Sequence, residues 1–212
     1  MKIADIIHEA HATACEKGWH ERPACSERMF VERDEHGILS YVAPRNVDVA
    51  LVGSWLALIH TELGEAWDAY ERRELGLHYV KDKPCGLLSE LADVVIRICD
   101  NAGALGLPLR ADGIDATQET IEDLHTAIYW LPPEQWTPAT LMLDMRSFAD
   151  FAIEELRKLD WLELCDSLGY LIAQCNEFAR LYGDHSMALT EAVRIKMAYN
   201  RTRPHRHGGK AL

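Results

Sequence analysis

The sequence predicts an all-α protein, a helical bundle. Apolar residues recur at the three-and-four spacing of a helix over long stretches of the 212 residues, alternating strand-like runs are nearly absent, and Pro or Gly stands near several of the breaks. With 48% apolar residues the chain can bury a sizeable core, which fits a single domain over 1–212.

The first helix is predicted from Ile3 to Lys17. The segment between Trp19 and Asn46 is charged and carries Pro23, Gly37 and Pro44, so it reads as a long loop whose one plausible extended piece is Gly37 to Tyr41. Helices then follow from Val47 to Leu75, Gly86 to Leu105, Ala116 to Trp130, Pro138 to Leu159, Trp161 to Tyr182 and Ser186 to Arg201. Residues 168–183 echo 91–106: Leu91 and Leu168, Ala102 and Ala179, Gly106 and Gly183 coincide, and the apolar stripe keeps its phase. Taken as a repeat, this makes 107–189 an inserted or degenerate second helical copy and the chain an internally duplicated pseudo-dimer. Two unrelated amphipathic helices with the same period would produce the same echo.

Two pairs of carboxylates carry the chemistry. Glu62 with Glu65, and Glu90 with Asp93, are spaced i,i+3 within helical patterns, so each pair projects from one helix face. The first pair falls on the stripe Leu51, Trp55, Leu58, Glu62, Glu65, Ala69, where apolar residues are expected. Burying several carboxylates together costs several kcal/mol per charge unless cations compensate or the pKa values rise. Mg²⁺ suits such a site, because it prefers oxygen ligands and is commonly bound by a few carboxylates together with substrate phosphates; Mn²⁺ is expected to substitute. A single ExxE on a helix is ordinarily a solvated face, but two such pairs, one inside an apolar stripe, point to a metal site with Glu62 or Glu65 also taking a proton from water.

Lys196, Asn200 and Arg203, spaced by four and three, share a face of the last predicted helix and offer the donors that phosphate oxygens need. Beyond Pro204 the basic tail reads as a segment able to fold over an anion. His8, His11 and Cys15 share a face of helix one, with Cys25 after it, a set that could bind zinc. No CxxC pair supports that reading, and all six cysteines are read as reduced core residues. The net charge of −12 argues against a general nucleic-acid binder. The N-terminal residues lack a signal-peptide core and no apolar run reaches membrane-spanning length, so a soluble, cytoplasmic protein without membrane partners is expected.

The runs LIHTELGEAWDAYERRELG, KPCGLLSELADVVIRICDNAGALG and KMAYNRTRPHRHGGK, in that order, resemble the MazG-like all-α nucleoside triphosphate pyrophosphohydrolases, whose signature is ExxE, a spacer, then ExxD. The spacer between Glu65 and Glu90 holds 24 residues, within what that family tolerates. The resemblance covers 1–106 and 190–212, and the stretch 107–189 is what simple members lack. It implies a family bundle fold and Mg²⁺-dependent cleavage of a (d)NTP to monophosphate and pyrophosphate. It further implies metal held by Glu62, Glu65, Glu90 and Asp93, triphosphate contacts from Lys196, Asn200 and Arg203, and a base pocket for which Trp19, His20 and Trp55 are candidates. A homo-oligomer, with a dimer favoured, is also expected. A dUTP-specific pyrophosphatase of the same superfamily and a non-catalytic metal- or nucleotide-binding bundle are the alternatives.

Overall fold

The computed structural model describes residues 1–33, 39–111, 114–124 and 135–205. Among the described residues six α-helices dominate: α1 (Ile3–Glu16), α2 (Val49–Glu71), α3 (Leu87–Leu105), α4 (Pro138–Lys158), α5 (Trp161–Tyr182) and α6 (Leu189–Thr202). This is the all-helical class that the periodicity predicts. No helix among the described residues is long and apolar enough to cross a membrane.

Local chemistry fixes where the helices begin. The Asp48 carboxylate accepts from Leu51 N at 3.0 Å and caps α2, Thr137 and Thr140 form a reciprocal cap before Pro138 in α4, and Asp160 accepts from Glu163 N to start α5. At the start of α3, Gly86 has φ 97°, and a Cβ there would lie 2.3 Å from the carbonyl oxygen of Gly76. Only glycine meets both demands.

Helix α3 is the centre of the molecule. It packs against α1, α2, α5 and α6, and most of its residues are buried, Leu91, Val95, Ile98 and Cys99 completely. Helices α2 and α3 form one hairpin, α4 and α5 another joined through Leu159 and Asp160, and the two pack as α2 on α4 and α3 on α5. Val52, Leu56, Ile59 and Leu63 of α2 meet this core, as do Leu141 and Met145 of α4 and Leu168, Ile172 and Phe178 of α5. Gly169 in α5 admits the backbone of Arg110, whose carbonyl oxygen would lie 1.8 Å from an added Cβ. The expectation of reduced core cysteines is met for Cys25, Cys99, Cys165 and Cys175 but not for exposed Cys15 or half-buried Cys85.

Among the described residues three short antiparallel strand pairs decorate the helices: β1 (Phe30–Arg33) with β2 (Leu39–Val42), β3 (His78–Val80) with β4 (Lys83–Cys85), and β5 (Arg110–Ala111) with β6 (Ile114–Asp115). The segment expected as a loop between Trp19 and Asn46 thus contains a strand pair. Leu39 to Tyr41 of the expected extended piece lie in β2, whereas Gly37 and Ile38 fall outside the described residues. The β3–β4 hairpin turns through Lys81 and Asp82, both with positive φ, 49° and 66°, as a two-residue turn that follows strand twist requires.

The helix expected from Ala116 to Trp130 is not formed where it is described. Residues Ala116–Gln118 and Ile121–Asp123 make two 3₁₀ turns, and 125–130 lie outside the described residues. Asp115 accepts from Thr117 N at 2.9 Å, and Asp123 accepts from the Thr120 hydroxyl at 2.7 Å. Short polar side chains thereby hold the backbone in turns that compete with an α-helix.

Candidate functional site

A cavity of roughly 390 Å³ opens between α1, α2, α3 and α6. Its acidic end is built by the central helix pair: Glu62 and Glu65 from α2, Asp93 from α3, with Glu90 beside them. One carboxylate oxygen each from Glu62, Glu65 and Glu90 lies within 4.8 Å of the others. The stripe read from the sequence is slightly rotated in the fold. Val52, Leu56, Ile59 and Leu63 make the core face, while Glu62 is buried at its edge and Glu65 is exposed towards the cavity.

The four acids are not alike. Lys196 of α6 is buried, with Nζ 2.8 Å from Asp93 Oδ2 and 2.7 Å from Ser89 Oγ, to which it donates. Its Nζ stands 4.0 Å from Glu90 Oε2, beyond hydrogen-bond reach, and that buried oxygen has no hydrogen-bond partner among the described residues. Burial pushes Glu90 up to about 7, against the opposing charge of Lys196. Burial also raises Glu62, helped by Asp93, although Arg97 donates to Glu62 Oε1 at 3.2 Å and opposes the shift. For Lys196 burial works against the charge, but Asp93 and Glu90 outweigh it and keep the ammonium protonated.

This donor set fits a hard divalent cation. Three converging carboxylates, one with an orphaned buried oxygen, supply the all-oxygen ligands that Mg²⁺ or Mn²⁺ prefers, and Asp93 stands on the same helix face as Glu90.

Lys196, Asn200 and Arg203 all line the cavity, as their common helix face implies. Lys196 plays a different part from the phosphate contact expected for it, since its donors are committed to Asp93, Ser89 and the Pro84 carbonyl. Asn200 Oδ1 is a buried acceptor without a hydrogen-bond partner among the described residues, and Arg203 lies over the ring of Tyr199. Trp19 lines both this cavity and a small adjoining one, to which His20 and Trp55 also belong. Trp55 is buried, and His20 meets its ring edge-on with centroids 4.6 Å apart.

Several lining residues escaped the sequence reading. Arg97 and Asp100 follow Asp93 by four and seven residues, so helical spacing alone places them on the same face of α3. Lys17 of the chain following α1 and Lys83 of β4 also line the cavity. Nothing in the sequence marks Lys83, because its position depends on a hairpin whose turn lacks the usual Asn-Gly or Asp-Gly.

The zinc set does not assemble. The Cys25 thiol is buried against the Ala104 carbonyl, and His11 points its Nδ1 at Asp100 Oδ1, 3.1 Å away. The structure instead brings His11, His20 and Asp100 together, with His20 Nε2 2.7 Å from the same Oδ1. Arg28 approaches His11 Nε2 at 3.1 Å. A guanidinium only donates, so Nε2 is the acceptor, the ring proton sits on Nδ1 facing Asp100, and no lone pair remains there for a metal.

Compared with known proteins, the chain matches no family model, no curated protein and no solved structure. The class that fold and site define is therefore a structural one: a mostly helical protein with a carboxylate-walled cavity at its central helix pair.

Proposed function

We propose that the protein is a magnesium-dependent nucleoside triphosphate pyrophosphohydrolase, cleaving a (d)NTP to monophosphate and pyrophosphate. The observation that carries this reading is the convergence of two i,i+3 acid pairs from α2 and α3 at one end of a cavity whose other walls bring Lys17, Lys83 and Arg203. Acids for a cation and cations for phosphate thus share one chamber, as an anionic substrate reached through bound metal requires. The sequence resemblance to the MazG-like enzymes points the same way.

When bound by Glu62, Glu65, Glu90 and Asp93, a divalent cation would neutralise the polyphosphate, polarise phosphorus and acidify a coordinated water. The chain's own residues do the rest. Lys196 holds Asp93 in place and stays charged, lowering the cost of gathering the acids. Glu62, made more basic by burial, or Glu65 at the open side accepts the proton of the attacking water. The water oxygen adds to one of the two phosphorus atoms of the α–β anhydride, that bond breaks, and the leaving group, pyrophosphate for attack at the α-phosphorus or the monophosphate for attack at the β-phosphorus, carries the bridging oxygen. Lys83 and Arg203 hold the chain of phosphates.

In the same reading, α4–α5 is a degenerate second copy of α2–α3. In the register that matches Leu91 with Leu168, Arg97 falls on Gln174. Each makes a link across its own hairpin, Arg97 to Glu62 and Gln174 to Asp144, the latter at 2.8 Å.

The test is a panel of (d)NTPs with Mg²⁺, scoring pyrophosphate against inorganic phosphate and monophosphate against diphosphate. Pyrophosphate with monophosphate is expected. Diphosphate and inorganic phosphate would contradict the reaction, and tight nucleotide binding without turnover would favour the non-catalytic bundle.

A further inference from the structure

Asp100 lies two turns beyond Asp93 on the same face of α3, about 10 Å along the helix axis at 1.5 Å per residue. That span is comparable to the distance from the α-phosphate of a nucleotide to the hydrogen-bonding edge of its base. Asp100 lines the cavity together with Trp19, Leu58 and Ile96, whose apolar surfaces suit a flat ring. Its Oδ1 takes the hydrogen bonds from both His11 and His20, and its Oδ2 accepts none among the described residues. Burial alone would raise its pKa, but the bonds from the two imidazoles outweigh burial and hold it below the usual carboxylate value. A fixed, charged carboxylate with one spare oxygen therefore shares the cavity lining with Trp19, Leu58 and Ile96.

Resting on the triphosphate reading above, we infer that Asp100 Oδ2 accepts a hydrogen bond from an exocyclic amino group of the nucleobase, so that amino-bearing bases, cytosine, adenine or guanine, are the substrate class. A carboxylate only accepts, and an amino group directed at it forms a charge-assisted bond. Uracil and thymine present one N–H flanked by two carbonyl oxygens. Turning that edge toward Asp100 sets lone pairs against a negative charge and strips carbonyls of water without replacement. His11 and His20 act as positioning residues, fixing the carboxylate through its other oxygen.

The full chain with Mg²⁺ is assayed on dATP, dCTP, dGTP, dTTP and dUTP, alongside equilibrium binding of the monophosphates dAMP, dCMP, dGMP, dTMP and dUMP. The expected result is a kcat/KM at least about tenfold higher for the best amino-bearing substrate than for dUTP or dTTP, with the same order in monophosphate binding. Asp100→Asn, whose amide can donate to a carbonyl, should narrow or invert that gap while pyrophosphate remains the product. Equal wild-type rates on dUTP or dTTP, or an Asp100→Asn loss that is uniform across bases, would overturn the assignment. Should the variant not fold, judged by circular dichroism, the wild-type panel decides by itself. If no triphosphate is cleaved the proposed reaction fails, and the monophosphate order still decides whether Asp100 reads the base; no nucleotide binding at all overturns both.

Discussion

The hairpins α2–α3 and α4–α5 pack against each other and differ in what their inward polar residues do. Each carries a polar link between its two helices, Glu62 to Arg97 at 3.2 Å in the first and Asp144 to Gln174 at 2.8 Å in the second. In the first, the neighbouring positions are Glu90, buried beside the cavity, and Asp93, which lines it. In the matching register of the second they are Ser167, buried, and Tyr170, which stacks on Phe148 with centroids 5.3 Å apart. At that register position the second hairpin has a stacked aromatic ring in place of an acid. The difference teaches that helix packing and site chemistry separate cleanly here: the apolar faces build the frame, and a few inward polar residues decide whether it encloses a site or a core.

The sharpest way to break this comparison is to neutralise matching positions. Glu62→Gln, Glu65→Gln, Glu90→Gln and Asp93→Asn should each lower turnover about a thousandfold or more at saturating Mg²⁺, with helical circular dichroism unchanged. Near-wild-type rates in any two would remove the metal assignment. Lys196→Met should come next. It leaves half-buried Asp93 without its ion pair and buried Glu90 without the nearby positive charge, so the metal-free protein should lose about 2 to 4 kcal/mol of stability in urea unfolding, partly restored by Mg²⁺. No loss, or a loss that Mg²⁺ leaves untouched, would contradict the role given to Lys196.

Titration offers a finer probe. Because Glu90 titrates near 7 in the folded protein against an ordinary 4.5, the folded state holds a proton that the unfolded chain has released between those values. Its contribution is full below about 4.5 and is lost as the pH rises through about 7. Metal-free stability should therefore fall by about 1 to 2 kcal/mol over that window once solvent screening is allowed for. Glu90→Gln should reduce the fall, leaving the part that Glu62 contributes with the same sign, and an unchanged slope would show that the proton is held elsewhere. The smallest effect belongs to the second hairpin. Asp144→Asn should leave turnover within about twofold and change stability by no more than about 1 kcal/mol, since a neutral amide can still meet Gln174. A large loss of activity would place chemistry in α4–α5.

The helical frame was legible because long amphipathic stretches carry their own period, and the acid pairs because i,i+3 spacing survives translation into structure. The strand pairs were not. Positive φ at Lys81 and Asp82 is an exception to residue preference that tertiary contacts must stabilise, and so the place of Lys83 at the cavity could not be read from composition. The helix expected after Ala116 failed because Asp115 accepts from Thr117 N and Asp123 from Thr120 N, holding the backbone in turns. On α6, spacing placed Lys196 on the correct face but could not show that its ammonium is occupied by Asp93 rather than open to phosphate. Asp100 shared the readable face of α3, yet its significance depends on His11 and His20, which are distant in sequence.

The central claim is that the chemistry belongs to one hairpin of the two. Calorimetric titration of the full chain with a non-hydrolysable α,β-imido deoxynucleoside triphosphate and Mg²⁺ tests it directly. The account expects one site per chain, lost in a Glu62→Gln, Glu90→Gln double variant and kept in Asp144→Asn. Two equivalent sites per chain, or full binding by the double variant, would contradict it.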